Sequence, residues 1–69
     1  MTSETIEVPE IHCDHCRMSI EGALTPIDGV ATATVDVASR RVTVDYDDQR
    51  VDRADLVAAI EAQGYEVPA

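Results

Sequence analysis

The chain opens on an alternation. In Thr5-Ile6-Glu7-Val8 the side chains of Ile6 and Val8 fall on one face of an extended segment, which Pro9 closes. The period then changes: Cys16, Ile20, Ala23, Leu24 and Ile27 recur at helical spacing, predicting a helix over residues 15–25. Pro26 stops it, because the residue before a proline avoids the helical region. After the turn signal Asp28-Gly29 the period returns to two, with Ala31, Ala33, Val35 and Val37 inward and Thr32, Thr34 and Asp36 outward. Residues 38–40 read as a hairpin connection to a third strand, Val42-Thr43-Val44-Asp45-Tyr46. A polar loop over residues 47–50 leads to Asp52, an N-cap with Asp55 three positions on, a variant of the capping box. The second helix spans residues 53–63, with Leu56, Ala59 and Ile60 inward, Val57 beside them and Gly64 as its left-handed cap. Tyr65-Glu66-Val67 reads as a short last strand before Pro68, and residues 1–4 as a polar tail that frays.

The order is strand, helix, strand, strand, helix, strand. With short links and right-handed crossovers this predicts an α+β fold, the ferredoxin-like βαββαβ sandwich. Its four-stranded antiparallel sheet would carry both helices on one face. All 69 residues make a single domain. The loop after the first strand and the turn at Gly64-Tyr65 are expected at the same end of the sheet.

The first of those loops carries the chemistry. Ile11-His12-Cys13-Asp14-His15-Cys16 holds both cysteines and both histidines of the protein. It ends where the helical pattern starts, so unpaired backbone N–H groups of the first turn face the sulfurs and favour the thiolate. A disulfide across so short a loop would constrain the unfolded chain little, so the cysteines are chemical rather than structural. The residues alone describe a dithiolate site at a helix N-terminus, suited to a metal or to electron exchange. Soft thiolates select Cu(I), whereas structural zinc wants four ligands. A Cys₂His₂ set within six residues is geometrically awkward. His15, between the cysteines, reads as a solvent-facing residue of the helix start, or as an auxiliary ligand. His12 reads as an exposed loop residue, or likewise as an auxiliary ligand. Asp14 suits the positive end of the helix dipole, and Met18 falls on the rim.

Charge narrows the partners. Fourteen acidic residues stand against five arginines and no lysine, a formal net charge of −9. That argues against nucleic acid and against an anionic membrane surface. The acidity serves either solubility or the docking of a basic partner, with Asp14, Glu21 and Glu66 near the loop end and Arg17 opposing them. An apolar run of about 18 residues, long enough to cross a bilayer, does not occur. No secretory leader is evident either, so no membrane insertion and a reducing cytoplasmic location are expected.

Several blocks, in order and at matching spacing, resemble the heavy-metal-associated domain family. They are the Cys-x-x-Cys loop, Ile20-Glu21-x-Ala23-Leu24, Gly29-Val30, Val42-Thr43-Val44-Asp45-Tyr46 and Ala59-Ile60-Glu61-Ala62-Gln63-Gly64-Tyr65. The resemblance covers about residues 5–67, and within the family it is to the free-standing bacterial copper chaperones of the cytosol. It implies a Cu(I) site made by Cys13 and Cys16, and delivery to a metal-transporting P-type ATPase or another acceptor. It also implies that Tyr65 sits beside the metal loop. The chain departs from the family at Ile11, where a buried packing methionine is usual, and at His12, where threonine is common.

A copper chaperone that passes its ion by thiolate exchange is therefore the leading reading, and not an enzyme. Because two-coordinate Cu(I) can accept a further thiolate, a copper-bridged homodimer is also expected, built around Cys13, Cys16, His15 and Tyr65. A dithiol–disulfide oxidoreductase is the alternative from another class. In its favour is a histidine just before the second cysteine; against it are the short chain and the spacer Asp14-His15. A Zn(II), Cd(II) or Hg(II) module of the same fold is the third reading.

Overall fold

The computed structural model describes residues 1–68. Its elements in chain order are β1 (Thr2–Glu7), α1 (Asp14–Leu24), β2 (Val30–Asp36), β3 (Arg41–Tyr46) and α2 (Arg53–Ala62). The strands form one antiparallel sheet in the order β1-β3-β2. The register aligns the apolar positions across it: Ile6 faces Val42, which faces Val35. Val42, Val44 and Tyr46 of the central strand are all buried, and α1 covers them with Cys16, Ile20 and Leu24 while α2 adds Leu56 and Ile60. Side chains of this size stabilise by about 1.5–3 kcal/mol each when fully buried. The core lies on one face of the sheet and contains no polar or charged residue among the described residues.

The helix limits follow the predicted chemistry. Asp52 accepts the Asp55 N–H at 3.0 Å while the Asp55 carboxylate accepts the Asp52 N–H at 3.3 Å, a reciprocal capping box that starts α2. Cys13 caps α1 in an extended conformation with no side-chain cap bond. Thr25 ends it by donating its hydroxyl to the Glu21 carbonyl at 2.6 Å, just before Pro26. The turn after α1 depends on Gly29, at φ +99°. A Cβ there would stand 2.8 Å from the Arg50 Cβ and 3.1 Å from Val51, so only glycine fits.

Three expectations change. Among the described residues the sheet has three strands and not four, because Tyr65-Glu66-Val67 forms no ladder with β1. The Glu66 N–H is instead taken by the Glu10 carboxylate at 2.7 Å. Pro68 has no N–H to offer, and Tyr65 and Val67 settle against the core as half-buried side chains. Second, Ala31 is exposed rather than inward, because the register slips between Val30 and Thr32. That bulge turns Val30, not Ala31, toward the core. Third, β1 starts at Thr2, within the stretch expected to fray. Thr2 pairs with Tyr46 and bonds Asp48 at 3.1 Å, and Arg53 of α2 holds Glu4 at 2.9 Å.

Candidate metal centre

The connection from β1 to α1 leaves the sheet at Val8, whose N–H bonds the Arg40 carbonyl at 3.0 Å, and tightens where Ile11 N–H bonds the Val8 carbonyl at 3.1 Å. Ile11 is completely buried beneath the loop. A β-branched side chain with few rotamers fills this place and anchors the segment that follows. From it the backbone passes through extended Cys13 into the first turn of α1, which brings Cys16 back over Cys13. The two sulfurs lie 3.8 Å apart, both as free thiols.

The pair is asymmetric. Cys13 is half-buried and Cys16 only 4% exposed, so an incoming donor meets Cys13 first. The hydroxyl of Tyr65 acting on the Cys16 sulfur, with the backbone N–H of His12, brings the thiol from an ordinary 9.0 down to about 7 against the opposing effect of burial. The same interaction pushes the Tyr65 hydroxyl upward, with burial acting in the same direction. The thiolate, the form that holds a metal, is thereby favoured at Cys16.

The structure separates the two histidines. His12 brings Nδ1 to 3.7 Å from the Cys16 sulfur, and the donor atoms of His12, Cys13 and Cys16 all lie within 4.8 Å of one another. Its Nδ1–H donates to the Glu10 carbonyl at 2.8 Å. His15 is exposed and outside this group. Met18 lies on the surface at 62% exposure, away from the sulfurs as the spacing predicts.

Charge at this end is more balanced than composition suggests. Arg17 grips Asp14 through two hydrogen bonds, of 2.9 and 3.2 Å, and reaches Glu21 at 3.1 Å. The guanidinium holds the Asp14 carboxyl below the usual carboxylate range. Glu21, expected among the acids near the loop, is committed elsewhere: its second oxygen accepts the Val35 N–H of β2 at 2.9 Å. It clasps α1 to the sheet. Glu10, which sequence reasoning passed over, is the residue that joins the loop to the C-terminal segment, through its carbonyl to His12 and its carboxylate to Glu66. No helix among the described residues is long and apolar enough to cross a membrane.

Comparison with known proteins gives a consistent answer. The sequence profile of the heavy-metal-associated domain matches residues 5–66. The copper chaperone CopZ of Staphylococcus saprophyticus is 48% identical over 67 residues, 97% of this chain and 98% of that protein. A solved CopZ metallochaperone superposes with a TM-score of 0.94 at 40% identity, covering 97% of this chain and all of the other. The N-terminal domain of a potential copper-translocating P-type ATPase from Bacillus subtilis, solved in its Cu(I)-loaded state, superposes at 0.88 with 32% identity. That match spans 94% of this chain and 81% of the ATPase domain.

Proposed function

The chain belongs to the heavy-metal-associated domain family, and on that footing we propose that it is a cytosolic copper chaperone rather than an enzyme. Cu(I) is its cargo, held by Cys13 and Cys16 and handed by thiolate exchange to the metal-binding domain of a copper-transporting P-type ATPase. The observation that carries this reading is the thiol pair 3.8 Å apart at the start of α1, with Cys16 buried and Cys13 open to the surface. A soft thiolate pair favours Cu(I) over harder ions. An accessible Cys13 lets the acceptor's sulfur bond the ion before the chain's own sulfurs let go, so copper is never free. Two chains meeting through the same open position give the copper-bridged pair, with Tyr65 at its edge.

The discriminating experiment mixes the Cu(I)-loaded chain with an apo ATPase domain in the presence of a Cu(I) chelator. Carrier function predicts transfer faster than release to the chelator alone. Equal rates would mean that copper dissociates into solution first. Oxidation of the dithiol by a thiol–disulfide standard, with no copper uptake, would favour the oxidoreductase instead.

A further inference from the structure

The sulfur separation carries more than the choice of a soft ion. With metal–sulfur bonds of about 2.3 Å, sulfurs 3.8 Å apart subtend about 110° at the ion, the tetrahedral angle. A linear two-coordinate ion with the same bond length would need them about 4.6 Å apart. The other measured edge agrees. A tetrahedral ion with bonds of about 2.3 Å to sulfur and 2.0–2.1 Å to nitrogen places those atoms about 3.6 Å apart, and His12 Nδ1 lies 3.7 Å from the Cys16 sulfur. The Cys13 sulfur lies within 4.8 Å of a ring nitrogen of His12 and is half-buried, with room to adjust.

We propose that His12 Nδ1 is a third donor atom of this centre, so that the chain also takes a borderline divalent ion, Zn(II) or Co(II), in a Cys₂His set with one open position. This rests on the reading of Cys13 and Cys16 as the thiolate pair, and it adds a second class of cargo. The chemistry balances. Each cysteine gives up its thiol proton, and the two thiolates neutralise the dication. The imidazole stays neutral by exchanging its Nδ1 proton for one on Nε2. The bond from Nδ1 to the Glu10 carbonyl is exchanged for the bond to the ion, and that exchange occurs only for an ion that demands more than two ligands. Cu(I) held by two thiolates leaves His12 on Glu10. His15, outside the group, takes no part. The open fourth position is the arrangement of zinc sites that exchange ligands, in contrast to closed structural ones.

The test titrates the reduced chain anaerobically with Co(II), Zn(II) and Cu(I), alongside His12→Ala and His15→Ala. The native chain should show thiolate-to-Co(II) charge transfer and visible bands of tetrahedral intensity. His12→Ala should lower Co(II) and Zn(II) affinity by at least the roughly tenfold that removing even an outer partner costs a metal site. It should leave Cu(I) affinity within about threefold, and His15→Ala should leave all three ions unchanged. Equal divalent affinity in the native chain and His12→Ala overturns the proposal, as does a native chain that takes up neither divalent ion. A parallel loss of Cu(I) in His12→Ala overturns the claimed selectivity. Nitrogen NMR of the native Zn(II) complex needs no variant: a metal-bound Nδ1 with a proton on Nε2 supports the assignment, and a retained Nδ1–H rejects it. Failure of the native chain to bind Cu(I) would count against the chaperone reading separately, whatever the divalent ions do.

Discussion

Glu10 and Glu66 are joined across almost the full length of the chain, the Glu10 carboxylate accepting the Glu66 backbone N–H at 2.7 Å. The bond fixes the segment that carries Tyr65, and Tyr65 is the main cause of the depressed Cys16 thiol. A side chain outside the proposed thiolate pair thus holds in place the group that favours the Cys16 thiolate. Tyr65→Phe should raise the Cys16 thiol toward its ordinary value, and Glu10→Ala should raise it less, because the segment loosens without losing the hydroxyl. The two changes should not add, since Glu10 acts through Tyr65. The native thiol adds a stability term with a definite sign: being depressed in the folded state, it is fully present above about 9 and lost as pH falls through about 7. Thermal melts of the reduced, metal-free chain across that window check it. The rise in stability with pH should vanish in Cys16→Ser and shrink in Tyr65→Phe.

The fold should persist without metal. The core is formed by α1, α2 and three strands, and of the two cysteines only Cys16 enters it fully. Chelation should leave a cooperative melt with mixed α and β circular dichroism, unlike a zinc finger. Ile20→Ala, which truncates a fully buried side chain, should destabilise by about 2–5 kcal/mol and leave the Cu(I) stoichiometry of the folded fraction unchanged. A random-coil spectrum on chelation would make the ion structural.

Much of this was legible in the chain because burial follows period. Ile20, Leu24, Leu56 and Ile60 sit where helical spacing puts them, and Val42 and Val44 where alternation does. What escaped depends on partners distant in sequence. Thr2 belongs to a strand because Tyr46 stands opposite it, and Ala31 faces out because one residue is inserted against β3. Val51, a lone apolar residue between the polar loop and the Asp52 cap, is buried beside Gly29. Both cysteines were evident from type and spacing. That His12 rather than His15 lies beside them was not, because it rests on ring placement after the chain leaves Ile11. Glu10 carries no signal at all, since its partner is a backbone N–H 56 residues away.

Docking should depend on salt through the acids that remain free. With Glu21 bound to Arg17 and to the Val35 N–H, Glu21→Lys would disturb the packing of α1 on the sheet and is a poor probe of docking. Glu66 is exposed and beside the tyrosine, so its reversal tests the surface more cleanly. Complementary charge acts mainly on the encounter rate, and exposed charges are screened beyond about 10 Å at 0.1 M salt. Stopped-flow transfer to an acceptor with a basic face should slow severalfold as ionic strength rises, and Glu66→Lys should slow it and flatten its salt dependence. The Cu(I) affinity of the isolated chain should hardly change. A rate indifferent to salt would assign the −9 charge to solubility alone.

The central claim is that Cys13 and Cys16 together hold the cargo, and one measurement addresses it: anaerobic titration of the reduced chain with Cu(I) against a competing chromophoric chelator. The account predicts about one tightly held Cu(I) per chain, lost in both Cys13→Ser and Cys16→Ser and kept in His12→Ala and His15→Ala. Serine variants that still compete for copper as well as the native chain would contradict it.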